Sequence, residues 1–255
     1  MVLNKKQMSE EDVKLNYITP AILRGWQDHI TMETKVKITD GQINIKGNMA
    51  VRKNPKYADY VLYLNDNKPI AVVEAKDNNH TVSYGIQQAI EYAKMMDLPF
   101  AYSSNGDAFY EHDFLTGNET LIELDRFPSQ EQLIARYYAE INGGKGISEE
   151  EKKIIAQPYY SSQTSFPPRY YQRNAINRTV EAIANGQKRL LLVMATGTGK
   201  TYTAFQIVYR LLKSGFKKRI LYLADRNILV EQSVEQDFKP LKKTIYKVDF
   251  AKKDC

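Results

Sequence analysis

The run Leu190-Leu191-Leu192-Val193, followed by Met194-Ala195-Thr196-Gly197-Thr198-Gly199-Lys200-Thr201 and then by a helical pattern, constrains this chain more than any other stretch. In such a loop the glycines let backbone N–H groups converge on phosphate oxygens at the start of a helix. The lysine adds positive charge, and the last threonine hydroxyl can hold a Mg2+ ion. Strand, loop and helix stand in the order this mechanism requires, so the chain is expected to bind ATP or a related nucleoside triphosphate. Thr196, Gly197, Thr198, Gly199, Lys200 and Thr201 would surround the phosphates, with Thr201 on the metal. The bland alternative is a glycine-rich turn that only caps a helix.

The strict phosphate-loop pattern has glycine five residues before Gly199, and here that position is Met194. Ala195 to Thr201 instead resembles the first motif of superfamily 2 helicases and translocases, in which the opening glycine is commonly relaxed. From Tyr171 onward the pattern alternates helix (Tyr171 to Asn185), strand (Arg189 to Ala195), loop, helix (Lys200 to Leu212) and strand (Arg219 to Ala224), as a parallel nucleotide-binding sheet requires.

With 255 residues, 43% hydrophobic and 26% charged, the chain can form two ordinary domains with real cores. No apolar run approaches the roughly 18 residues of a membrane span. Met1 to Asp12 is charged rather than signal-like, so a cytoplasmic protein without membrane association is expected. The single cysteine, Cys255, excludes disulfides and thiolate zinc sites within these residues. His29, His80 and His112 show no metal-ligand spacing. A net charge of +6 permits a polyanionic partner without requiring one.

The first half reads as an α/β domain. Ser9 caps a helix that opens with Glu10-Glu11-Asp12 and stops at Gly25. Ile30 to Ile38 alternates as a strand, Asp40-Gly41 gives a turn, and Tyr60 to Leu64 is turned through Asn65 to Pro69 into a second strand ending at Ala75. A helix from about Val82 to Met96 and strands near Phe100 to Ser103 and Ala108 to Glu111 complete it. Ser129 to Gln132 and Ser148 to Glu151 have the form of capping boxes on two connector helices separated by Asn142 to Gly146. Tyr159 to Pro168 reads as an extended linker. The expected domains are therefore 1–125, a connector and linker over 126–165, and 166–255.

Asp59 opens one predicted strand, and Glu74-Ala75-Lys76 ends the next. Residues i and i+2 of a strand share a face, so Glu74 and Lys76 point the same way. If the strands pair, Asp59 and Glu74 reach one divalent ion, Mg2+ or Mn2+, that would activate water against a scissile phosphate, with Lys76 orienting the water or neutralising charge. The E-x-K spacing also occurs at Glu33/Lys35, Glu150/Lys152 and Glu151/Lys153. Only Glu74/Lys76 ends a wholly apolar strand, where a lone carboxylate costs several kcal/mol. A plain Glu-Lys surface pair is the alternative. Gln88 and Tyr92, four apart, project from one face of the following helix. Glu11 is a further carboxylate whose simpler role is helix capping.

Asp59, Glu74-x-Lys76 and Gln88-x-x-x-Tyr92 together resemble the RecB-like branch of the PD-(D/E)xK nucleases. A nuclease of that type followed by a superfamily 2 motor resembles the restriction (R) subunit of type I restriction-modification enzymes. Arg169-Tyr170-Tyr171-Gln172 is similar to the motif whose glutamine reads adenine in that family, which implies an ATP contact for Gln172. Asp225-Arg226-x-x-Leu229-x-x-Gln232 is similar to its motif Ia, which implies DNA contacts for Arg226 and Gln232.

The resemblance also implies double-stranded DNA as substrate, two methylation subunits and a specificity subunit as partners, and ATP-driven translocation before cleavage. S-adenosylmethionine would be bound only by those partners. It implies a mixed-sheet nuclease domain and an incomplete RecA-like parallel-sheet motor. No second motor motif follows Thr201, so these residues are expected not to translocate DNA alone, as an N-terminal fragment or a truncated product. Another nuclease-helicase fusion in repair or phage defence, or a non-catalytic assembly module, remain alternatives.

Overall fold

The computed structural model describes residues 4–27, 32–39, 43–46, 49–52, 54–65, 68–141, 144–162, 165 and 167–248. The turn expected at Asp40-Gly41 lies outside them, as do the first residues of the strand expected from Ile30. Chain contacts divide the molecule into two compact units, Met1–Lys152 with Pro168–Asn174, and Lys153–Pro167 with Ala175–Cys255.

The first unit opens with one continuous helical stretch: α1 (Glu10–Val13), a π-helical segment Lys14–Ile18, and α2 (Thr19–Leu23). Ser9 caps it reciprocally with Asp12, whose carboxylate accepts from the Ser9 N–H. The sheet is built from β1 (Met32–Thr39), β4 (Lys56–Asn65), β5 (Lys68–Ala75), β6 (Phe100–Ser104), β7 (Ala108–Asp113) and β8 (Glu119–Glu123), in the spatial order β1-β4-β5-β6-β7-β8. Only the β5/β6 pair is parallel. A parallel pair needs a long crossover, and α3 (Ile86–Met96) supplies it. A separate hairpin pairs β2 (Ile43–Lys46) with β3 (Met49–Arg52).

Every residue of β5 is buried, because both of its edges are paired and both of its faces are covered. One face packs Tyr60, Leu62, Val73 and Tyr102 with Val13, Ile18 and Ile22 of the N-terminal stretch and with Leu133 and Tyr137 of α4 (Gln130–Glu140). The other face packs Val61, Tyr63, Val72 and Ala101 against Ile86, Ala89, Ile90 and Ala93 of α3. The α4 capping box predicted at Ser129 and Gln132 is present. Strand β8 carries mostly exposed residues, which is why its sequence gave no strand signal.

The second unit has a helical core. Ile154 and Ile155 from α5 (Glu149–Ala156), Ile176, Val180 and Ala184 from α6 (Tyr170–Ala184), Phe205 and Leu211 from α7 (Lys200–Lys213), and Phe238 beyond α8 (Asn227–Glu235) are its buried apolar residues. Arg210 is buried among them, donating to the Asn177 side chain and to the carbonyls of Ile154 and Ile155 at the end of α5.

Here the structure departs from the expected parallel sheet. Arg189 to Ala195 and Arg219 to Ala224 pair with no other strand among the described residues. Leu191 and Val193 are each 88% exposed and Leu223 is 73% exposed. The flanking helices form as expected. A strand, unlike a helix, takes its hydrogen bonds from neighbours that these segments do not have here.

Candidate nuclease centre and phosphate-binding loop

The antiparallel pairing of β4 with β5 brings Asp59 beside the end of β5, where Glu74 is only 3% exposed. Asp59 lies at the end of that ladder, and its Oδ2 accepts a hydrogen bond from the Ala75 N–H at 2.9 Å. The carboxylate therefore stands where a neighbouring backbone carbonyl would otherwise stand. Its Oδ1 meets the Lys14 ammonium at 2.9 Å. Lys14 also reaches Glu11 at 3.0 Å. Burial alone would lower the Lys14 pKa, but the Asp59 and Glu11 carboxylates hold it above the usual lysine range.

Glu74 Oε1 accepts from Gln88 Nε2 at 2.6 Å and from Lys76 Nζ at 3.2 Å. Gln88 also donates to the Tyr92 hydroxyl at 3.0 Å, so the helix face predicted from the i,i+4 spacing is the face that meets Glu74. Gly85 permits this approach. A Cβ there would lie 3.3 Å from both Glu74 Cγ and Ser103 Cβ. The five residues Asp59, Glu74, Lys76, Gln88 and Tyr92 thus form one constellation.

Its electrostatics favour a cation. Burial, and next the Asp59 charge, push the Glu74 carboxyl up to about 8 despite Lys76. Glu74 Oε2 is buried with no protein donor among the described residues, and the adjacent Asp59 carboxylate favours the protonated form of Glu74. An orphaned carboxylate oxygen beside a second carboxylate is what a hard divalent ion would complete, and one or two carboxylates suffice for Mg2+ when water and phosphate supply the rest. Among the described residues no cluster of three or more His, Cys, Asp and Glu side chains is arranged around one metal position. The residues present fit a metal held by two protein carboxylates.

At the phosphate loop, Gly197 (φ 78°) and Gly199 (φ 80°) both adopt left-handed backbone. Space is not the constraint, since a Cβ on Gly197 would meet nothing within 4 Å; the dihedral angle is. Gly199 is the N-cap of α7, whose first N–H groups open toward the loop. Lys200 Nζ folds back to the carbonyls of Met194 and Ala195 at 3.5 and 3.3 Å, and the Thr198 hydroxyl donates to Ala195 at 2.7 Å. A glycine pair, a helix N-terminus and a lysine poised over the loop fit a triphosphate. Thr196 and Thr201 flank this cradle in sequence.

The remaining predicted contacts are less assembled. The Gln172 side-chain oxygen accepts from the Arg169 N–H at 2.9 Å and so serves its own helix start. Arg226 precedes α8 and is 77% exposed, 4.0 Å from Asp225, while Gln232 is exposed on α8.

Comparison with known proteins finds a family match in each half of the chain. Residues 28–128 match the family described as the type I restriction enzyme R protein N terminus, and residues 165–254 match the family described as type III restriction enzyme, res subunit. Over 251 residues the chain is 46% identical to the endonuclease subunit of the type I restriction enzyme EcoAI from Escherichia coli, covering 96% of this chain and 30% of that protein. The chain belongs to the HsdR family.

Within that family it is also 30% identical over 229 residues to the EcoKI endonuclease subunit of Escherichia coli strain K12, covering 71% of this chain and 19% of that one. A solved fragment assigned to an HsdR subunit of a type I restriction enzyme from Vibrio vulnificus superimposes with a TM-score of 0.72 at 40% identity, over 81% of this chain and 38% of that one. The chain thus corresponds to the N-terminal portion of HsdR, and its matches span 30%, 19% and 38% of the length of these three relatives.

Two residues of this HsdR segment were not singled out as site residues by sequence reasoning. Lys14 pairs with Asp59, and Glu10 carries a raised pKa, from burial first, with Lys76 opposing and Asp59 adding to the rise. Glu10 and Lys14 are one helical turn apart, so the signal was an i,i+4 acid-base pair on the first helix. Glu11, the carboxylate considered from sequence, contacts the site only through Lys14 and is 81% exposed.

Proposed function

We propose that this chain carries the DNA-cleaving centre and the start of the ATP-driven motor of a type I restriction enzyme R subunit, cutting unmodified double-stranded DNA. The observation that carries this reading is the juxtaposition of Asp59 with the buried Glu74, whose free oxygen and raised pKa call for a cation. A Mg2+ or Mn2+ ion held by Asp59 and Glu74 would supply an activated water and charge stabilisation at the scissile phosphate.

The protein's own groups divide the remaining work. Gln88 and Lys76 orient Glu74 through the hydrogen bonds to Oε1, leaving Oε2 directed into the site. Tyr92 fixes the Gln88 amide. Lys76, with its side chain 15% exposed, would orient the attacking water or neutralise the phosphate. The Ala75 N–H fixes Asp59 from the backbone side. Lys14 balances the Asp59 charge, and Glu10 feels the charges of the same centre, Lys76 and Asp59.

In the second unit, Gly197, Thr198, Gly199 and Lys200 would cradle the phosphates of ATP, Thr196 would flank them, and Thr201 would hold its Mg2+. Gln172 would meet the adenine, and Arg226 and Gln232 would contact the DNA backbone. Functionally, 1–125 would be the nuclease, 126–165 a connector and 166–255 the first motor lobe. The full subunit would work in the cytoplasm with methylation and specificity subunits, which would bind S-adenosylmethionine and choose the DNA sequence.

A crystal structure of the chain with Mn2+ tests the central claim. Anomalous density bridging Asp59 and Glu74 is expected; carboxylates turned apart with no density at high Mn2+ would remove the nuclease reading.

A further inference from the structure

Antiparallel β1 and β4 pair Thr34 with Tyr60 and Val36 with Ala58, which leaves Lys35 opposite Asp59. Lys35 has φ 52°, and among the described non-glycine residues it shares the left-handed region only with Asp97, the C-cap of α3. A lysine in the middle of a strand has no ordinary reason to be there. L-residues enter this region at a steric cost, and β-branched ones scarcely at all.

The faces of both strands show what that conformation does. In an unbroken strand, residues two apart share a face. Tyr60, Leu62 and Leu64 pack with Met32 in one core, so Ala58, Val36 and Ile38 should join them. Instead Ala58 and Ile38 belong to the opposite core with Val61 and Tyr63, and Val36 packs against it. Alternation therefore reverses in both strands at the same step, the one holding Lys35 and Asp59. The β4/β5 ladder also runs no further than Tyr60 with Val73, and beyond it the Asp59 carboxylate takes the Ala75 N–H. At the reversal the Asp59 side chain belongs to neither face and lies between the strands, beside the end of β5.

We infer that Lys35 is a positioning residue of the nuclease centre, whose left-handed backbone produces the paired reversal that directs Asp59 between the strands toward Glu74. The inference rests on the nuclease reading above and adds a residue that acts through its backbone rather than its charge. The Lys35 side chain is exposed, consistent with a role that needs no side-chain partner. Bulges and strained dihedral angles next to reacting centres re-aim side chains in this way.

The test uses a full-length R subunit assembled with its methylation and specificity subunits, comparing Lys35→Gly, Lys35→Asn, Lys35→Ala and Lys35→Val, with Glu74→Ala as reference. ATP-driven translocation reports an assembled complex in each, and the urea denaturation midpoint of each R-subunit variant reports the fold of the first unit. DNA cleavage is expected to survive in Lys35→Gly and Lys35→Asn, which tolerate left-handed backbone, to weaken in Lys35→Ala, and to fall on the order of 100-fold in Lys35→Val. If Lys35→Val does not assemble, the order Gly, Asn, Ala still carries the test. Equal loss in Lys35→Gly and Lys35→Val would assign the effect to the lysine charge and overturn the inference, as would full cleavage by Lys35→Val. Cleavage that persisted in Glu74→Ala would instead overturn the nuclease reading and, with it, this inference.

Discussion

The two units contain similar apolar runs with opposite fates. Val72 and Val73 of β5 and Ala101 and Tyr102 of β6 are fully buried, whereas Leu191 and Val193 are each 88% exposed and Leu221 and Leu223 are 70% and 73% exposed. Composition does not separate them, since Leu190 to Val193 is as apolar as Ile70 to Val73. Neighbours do. Strand β5 has β4 and β6 on its edges, α3 over one face and the N-terminal helical stretch with α4 over the other. The segments around the phosphate loop have no strand partner among the described residues. An apolar run specifies a wish to be buried, and only a sheet that supplies edges and cover fulfils it.

The same contrast runs through the two candidate sites. The candidate nuclease centre is assembled from β4, the end of β5, α3 and, through Lys14, the N-terminal helical stretch, whereas the candidate phosphate loop is local and forms from consecutive residues at a helix start. Damage to each should therefore appear in different activities. Glu74→Ala in the full subunit is expected to reduce DNA cleavage on the order of 1000-fold while ATP-driven motion continues. Lys200→Ala should reduce ATP hydrolysis on the order of 100-fold, with cleavage falling only as far as it depends on translocation. Loss of both activities in a well-folded Glu74→Ala protein would dissolve the division between the two regions.

Stability measurements sharpen the comparison further. Leu62→Ala removes a fully buried side chain and should cost about 2–5 kcal/mol in urea denaturation of this chain. Leu191→Ala, at 88% exposed, should stay within about 0.5 kcal/mol. In a longer R subunit, where a completed sheet would cover Leu191, the second value is expected to approach the first. Equal costs in the two contexts would show that this segment never enters a sheet.

The smallest expected effect is a pH slope confined to the first unit. The Glu74 carboxyl has a folded pKa raised to about 8 from an ordinary value of 4.5, so the native state holds the proton more tightly than the unfolded chain. This contribution is fully present below about pH 4.5 and is lost as pH rises to about 8, by at most on the order of 1 kcal/mol per pH unit. Glu74→Gln should flatten that slope, and Mg2+ should do likewise by stabilising the carboxylate. Denaturation midpoints measured from pH 5 to pH 9 read both, and an unchanged slope in Glu74→Gln would assign it to another group.

Much of the candidate nuclease centre was legible because each of its signals lies within one element, although the elements themselves come together only in the fold. The E-x-K spacing, the Q-x-x-x-Y spacing and the Ser9 and Ser129 caps each depend on the period of a single element. Burial separates Glu74/Lys76 from Glu33/Lys35, for Glu74 is 3% exposed whereas Glu33 is exposed and accepts from the Tyr63 hydroxyl at 2.8 Å. Strand β8 escaped because its exposed residues do not alternate visibly. Lys14 and Glu10 escaped because the first helix read as an ordinary capped amphipath, and nothing in its sequence said which sheet edge it would meet.

By itself the sequence determined the elements whose hydrogen bonds close within a few residues: the capped helices, the left-handed glycines of the phosphate loop and the paired side chains along α3. Only the tertiary structure decided that Asp59 would leave the alternation of β4 and face Glu74, that Lys14 would neutralise it, and that the apolar segments beside the phosphate loop would stay unpaired. Each of those outcomes depends on a backbone partner contributed by a distant part of the chain, and the spacing of residues within one element carries no information about that partner.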